Sequence, residues 1–163
     1  MGEPVQSEQY NPCDSLIVTH VPPTRLPPSF LTALEGREEL LISSREEDRV
    51  GSVRAWFVVG PPGVVYLFAD ASSRRARRWR LDPWTRLTIP GTETSHQGTV
   101  AFVTPAEIDP ELCELVVERW GMWGAATPEG LKRMLRDGSH VLLRVAGDQP
   151  LVNFPLLDST GPR

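Results

Sequence analysis

The stretch SVRAWFVVGPPGVVYLFA (52–69) decides how this chain is read. Its first half alternates, with Val53, Ala55, Phe57 and Val59 on one face and Ser52, Arg54, Trp56 and Val58 on the other. Period-two alternation is the mark of a strand with two different faces. Pro61-Pro62-Gly63 is a tight-turn signal, because proline fixes its φ and glycine tolerates the left-handed region. The β-rich run VVYLFA (64–69) follows, so residues 52–69 read as a hairpin. Upstream, ELLISS (39–44) is a short apolar run, joined to the hairpin by the polar segment REEDRVG (45–51), which reads as an exposed turn. Downstream, TRLTI (85–89) and GTVAFVT (98–104) are two strands around the loop 90–97, and SHVLLRVA (139–146) is a sixth.

Helix signals fall between these strands. Ser72 or Ser73 opens SSRRARRWRLD (72–82), which Pro83 closes. Asp109-Pro110-Glu111 and Thr127-Pro128-Glu129 each place a capping side chain, a first-turn proline and an acid in order. Behind them Leu112, Leu115, Val116 and Trp120, and then Leu131, Met134 and Leu135, recur at helical spacing. SFLTALEG (29–36) reads as a short helix closed by Gly36. The expected class is mainly β (α+β): a six-stranded antiparallel split β-barrel with a few short helices, since closure removes exposed edges.

Residues 1–28 carry six prolines and read as an extended Pro-rich N-terminal arm, in which SLIVTHV (15–21) offers an edge strand. The barrel domain is expected over 29–156, with LVNF (151–154) as a short strand or extended piece and 157–163 as a disordered tail.

With 163 residues, 40% hydrophobic and 23% charged, the chain suits one domain with a real core. No apolar run approaches the length of a membrane span, and the polar, acidic N-terminus does not read as a signal peptide. Cys13 and Cys113 are distant from one another and read as reduced thiols, which points to the cytoplasm. A net charge of −4 argues against a dedicated nucleic-acid binder. There is no G-x-S-x-G, G-x-G-x-x-G, Walker A or H-E-x-x-H motif. His20, His96 and His140 have no ligand spacing and read as surface or hydrogen-bonded histidines, so no metal site and no catalytic set are assigned.

The strongest chemical feature is SSRRARRWR (72–80), with Arg74, Arg75, Arg77, Arg78 and Arg80 behind a serine cap and directly after a strand. A helix start offers free N–H groups and positive partial charge, and guanidinium adds bidentate donors. The run therefore reads either as a phosphate site or as a solvated cationic face.

The order strand, hairpin, strand, Ser-Arg-Arg helix, Asp-Pro, strand resembles the FMN-binding split-barrel, or pyridoxamine 5′-phosphate oxidase-like, superfamily. The likeness runs through 55–69, 72–89, 96–105 and 139–154, and covers roughly 29–154. Arg75 and Arg78 stand where that superfamily often has Lys and Asn, so positive charge is kept or increased. The resemblance implies that Ser73, Arg74 and Arg75 hold a cofactor phosphate, with Arg78 or Arg80 assisting. It also implies that Arg54, Trp56, Phe68 and Ala69 border the phosphate arm and ring. Trp56 reads equally as core packing, and Trp120, Trp123 and Phe154 read as packing before an aromatic wall. The implied activity is that of a flavin-dependent oxidoreductase, a homodimer using FMN on an unknown small-molecule substrate. The deazaflavin F420 is the alternative cofactor, and a non-enzymatic FMN- or haem-binding protein the alternative class.

Overall fold

A computed structural model describes residues 23–147. The expected edge strand at 15–21, the piece at 151–154, Phe154 and the tail at 157–163 lie outside the described residues.

Seven antiparallel strands, not six, form one sheet. They are β1 (Glu39–Glu46), β2 (Arg49–Trp56), β3 (Val58–Gly60), β4 (Val64–Asp70), β5 (Trp84–Thr88), β6 (Ser95–Val103) and β7 (His140–Gly147). The extra strand comes from a change of partner at Phe57. Upstream of it the chain pairs with β1, from Glu39↔Trp56 to Glu46↔Arg49. Downstream it pairs with β4, from Val58↔Tyr66 to Gly60↔Val64. Periodicity could not show this, because one alternating run can bridge two pairings.

The polar segment 45–51 is mostly strand, and the turn is only Glu47-Asp48, with Glu47 at φ 54°. Polarity marked exposure there, not irregular backbone. The PPG turn forms as read, with Gly63 at φ 116°, but the hairpin it closes is β3–β4 and not the whole of 52–69.

Strand order is β2-β1-β5-β6-β7-β4-β3, so β2 and β3 are the two edges of the sheet. They are also consecutive in the chain, with Phe57 alone between them. One residue spans at most about 3.6 Å, so the sheet must curl until its edges meet. That curl is the split barrel.

Alternation then sorts two cores. On β4, Val65, Leu67 and Ala69 face the barrel interior, while Val64, Tyr66 and Phe68 face outward under helices. This double burial explains why VVYLFA is apolar throughout. The face read on 52–60 holds only in part: Ala55 and Phe57 pack inside, while Val53 and Val59 stay exposed. Trp56 and Val58 pack on the outer cluster.

Helix α1 (Pro28–Leu34) plugs the barrel with Phe30 and Leu34. Leu26, just before it, is fully buried, and its N–H donates to the Gly63 carbonyl at 2.9 Å. The described end of the arm is therefore part of the core and not a surface strap. Helix α2 (Arg74–Leu81) inserts Ala76 and Trp79 into the interior. Helices α3 (Pro110–Trp120) and α4 (Pro128–Arg136) cover the outer face of β4 and β7 through Leu112, Val116 and Leu131. Ser73, Asp109 and Thr127 cap α2, α3 and α4 through side-chain oxygens that accept from Ala76, Leu112 and Gly130 N–H.

Asp82 ends α2 and ties it to the sheet. Its carboxylate pairs with the Arg45 guanidinium and accepts the Trp84 N–H at 3.1 Å, and Arg45 lies 5.0 Å over the Trp84 ring. The hydrogen bond from Arg45, then that from Trp84, holds the Asp82 carboxyl below its ordinary range. A depressed pKa contributes stability that is present above the unfolded value and lost as pH falls through the folded one. Asp82→Asn is therefore expected to lower the melting temperature at neutral pH. The gap between variant and parent should close in acid below the ordinary aspartate pKa, as thermal melts across pH will show.

Candidate functional site

The end of β4 opens onto a cleft of about 500 Å³, a volume in the range of small-molecule sites. Its position follows from the topology. Trp56 stands at the end of β2, beside the seam; Phe68, Ala69 and Asp70 lie at the end of β4; and His140 begins β7. Arg75, in the first turn of α2, reaches the cleft from above, and Trp120 and Trp123 close it from the end of α3.

Aromatic rings line it. Trp123 meets Trp56 edge-on at 5.9 Å. Phe68 lies 5.8 Å from Trp120 and stacks on His140 at 5.1 Å with 12° between planes. Such rings offer flat apolar faces with an energetic preference for stacking or edge contact. Trp123 is 66% exposed, so its ring stands at the mouth with most of its surface free.

The charges divide unevenly. Asp70 accepts Ser72 N–H at 2.7 Å and Ser72 O–H at 2.6 Å, and these bonds hold its carboxyl below the ordinary range. Arg54, largely exposed, pairs with Glu39 at 3.6 Å. Arg75 is half-buried, and among the described residues it has no carboxylate or hydrogen-bond partner. Burial alone pushes its pKa down. A partly desolvated guanidinium without a counter-charge is an anion site in waiting, because burying an unpaired charge costs free energy.

The structure brings five of the eight expected residues, Arg54, Trp56, Phe68, Ala69 and Arg75, into this one cleft. Ser73 spends its hydroxyl oxygen on the cap of α2. Arg74 and Arg78 line an adjoining trough over the β1–β2 ribbon. Arg78 pairs with Glu46 at 3.3 Å and lies across Gly51, where a Cβ would come within 2.6 Å of its Nη1. Arg80 leaves the site, donating to the Ala71 carbonyl at 3.0 Å and covering Phe102.

Sequence reasoning missed Asp70 and His140. The signal was the pairing of β4 with β7, which sets Asp70 opposite His140, and alternation within single strands does not reveal which strands are neighbours. Among the described residues, no cluster of three or more His, Cys, Asp or Glu side chains has metal-binding geometry. No described helix is long and apolar enough to cross a membrane.

No protein-family model matches the chain, and no curated protein matches it by sequence. Solved structures do match. A proposed pyridoxamine 5′-phosphate oxidase from Listeria innocua aligns at TM-score 0.53 and 16% identity, over 74% of this chain and 92% of that one. HutZ, the haem storage protein of Vibrio cholerae, aligns at TM-score 0.52 and 16% identity, over 78% and 93%. A NimC/NimA family protein from Clostridium acetobutylicum aligns at TM-score 0.51 and 17% identity, over 72% and 79%. The chain therefore has the split-barrel fold of the pyridoxamine 5′-phosphate oxidase-like superfamily.

Proposed function

We propose that the cleft binds a flavin, FMN in the first place, and that the protein is a flavin-dependent oxidoreductase acting on a small molecule. The observation that carries this reading is Arg75: a half-buried cation without a partner among the described residues, at the first turn of a helix, opening onto an aromatic cleft. A phosphate supplies the missing counter-charge, and guanidinium binds it through two parallel hydrogen bonds. Trp56 and Phe68 offer faces against which a planar ring can rest. Bound FMN supplies hydride transfer; this chain's residues bind it, orient it and exclude water. The free aromatic surface at the mouth suits a second copy of the chain, as in a homodimer, and the cytoplasm is the compartment proposed.

F420 on the same phosphate anchor is the alternative flavin-type ligand. A second reading, haem binding, rests on His140, an imidazole at the cleft wall, and on the likeness in fold to a haem storage protein. Native purification followed by an absorbance spectrum and mass analysis of the released small molecules separates them. The expected result is a flavin spectrum with FMN released. A Soret band that disappears in His140→Ala supports haem instead, and a colourless protein that takes up none of the three from solution overturns the proposal.

A further inference from the structure

The β1–β2 ribbon outruns the sheet that carries it. β1 pairs with β5 only from Leu41↔Thr88 to Ser43↔Arg86, yet it pairs with β2 as far as Glu46↔Arg49. β2 is itself an edge of the described sheet. The end of the ribbon is thus two strands alone, an arrangement that is marginally stable without other support. None of residues 46–51 belongs to either apolar cluster of the described residues, and Val50 is half exposed. Charge holds the tip instead. Arg45, on one face, pairs with Asp82 at the end of α2 and marks where the free part begins. Glu46, on the other face, accepts from Arg78 Nε at 3.3 Å.

Ile42, Ser44 and Glu46 share one face of β1, since side chains alternate along a strand. Ile42 and Ser44 line the trough of about 250 Å³ that shares Arg75 with the cleft, and Glu46 stands in the groove that adjoins it. Arg78 lines both. Its side chain is 14% exposed, with Nη1 against Gly51 and Nε on Glu46. A guanidinium this deep requires a counter-charge. The protein supplies one from a carboxylate that is 54% exposed, on a tip without an apolar anchor. An anionic group that passes Arg75 into the trough therefore meets a cation already occupied.

We infer that Glu46 is an internal competitor for the ligand phosphate: its carboxylate occupies Arg78 in the ligand-free protein, and a phosphate anchored at Arg75 displaces it and releases the ribbon tip at 46–51. The inference rests on the flavin reading of the cleft and adds regulation to that same site. Arg78 is paired in both states, so what changes between them is the freedom of the tip. Because the ligand must first undo the Glu46 contact, its apparent affinity is lowered by the share of protein held closed.

The test is Glu46→Gln on the intact chain, with Asp48→Asn as its control. Asp48 carries the same charge on the same tip and has no ion pair or side-chain hydrogen bond among the described residues. By isothermal titration Glu46→Gln is expected to tighten FMN about three- to fivefold, the upper part of what a part-exposed ion pair is worth, and Asp48→Asn less than about 1.5-fold. In the ligand-free state, hydrogen exchange over 46–51 is expected to be about fivefold faster in Glu46→Gln than in the parent, because an unlatched two-stranded tip frays. The parent saturated with FMN is expected to exchange there as fast as the variant. Equal FMN affinities for parent and Glu46→Gln, or equal gains from both variants, overturn the competitor and leave the flavin reading standing. Slower exchange of the tip in the FMN-bound parent does the same. Binding of FMN to none of the three proteins overturns both.

Discussion

Arg75→Gln is expected to weaken FMN binding about ten- to a hundredfold. A hydrogen bond to a charged group is worth about 1.5–3 kcal/mol, and about 1.4 kcal/mol is a factor of ten in affinity. The double change Arg74→Gln/Arg75→Gln should lose about a hundredfold or more. The melting temperature of the ligand-free protein should hold steady or rise, because Gln replaces a half-buried charge that has no partner among the described residues. That combination separates an anchor from a structural residue: a packing role would lower stability, and a solvated surface role would leave affinity untouched. Flavin titration of parent and variants, together with ligand-free melts, provides both numbers. An affinity within threefold of the parent for Arg75→Gln would remove the main support for the proposed function.

The second large effect concerns the barrel itself. Gly98 on β6 faces Gly147 on β7, and a Cβ at Gly98 would lie 2.3 Å from the Ala146 carbonyl oxygen. Gly147 is tight as well: its N–H donates to the Thr24 carbonyl at 2.9 Å, and a Cβ there would lie 2.9 Å from the Arg25 oxygen. Three backbone segments meet at this point, and none is a flexible side-chain end that can swing away. Gly98→Ala is therefore expected to cost about 3 kcal/mol, the upper part of the usual overpacking range. That corresponds to a fall in melting temperature of about 10 °C. Gly121→Ala is the control, since its Cβ would sit 3.8 Å from the Ala126 Cα in ordinary contact. If both variants melt together, the close approach at Gly98 is not a constraint.

Most elements were legible because their signals are local. Asp109-Pro110 and Thr127-Pro128 mark helix starts by capping chemistry that needs no tertiary context, and both helices form as read. The PPG turn carries its own geometry. The strand count went wrong where the decisive fact is a change of neighbour: Phe57 looks like any alternating residue, yet it carries the chain from one edge of the sheet to the other. The site shows the same division. An arginine-rich helix start after a strand is visible in the sequence, but not which arginine turns inward. Arg75 reaches the cleft while Arg74 and Arg78 lie over the β1–β2 ribbon, a choice made by the packing of Ala76 and Trp79 into the barrel. His140 escaped notice for a related reason, since its meaning depends on a strand about seventy residues away.

That distance has a kinetic consequence. The hairpins β1–β2 and β3–β4 close short loops, whereas β4 meets β7 only after about half the chain has been brought around. Loop-closure entropy makes such non-local pairing a late event. The cleft draws Trp56 from one hairpin, Phe68 from the other and His140 from the final strand. A collapsed intermediate with both hairpins in place would still lack one wall. Ligand capture by this chain is thus a reporter of completed topology, and a refolding time course followed by binding should trail one followed by strand content.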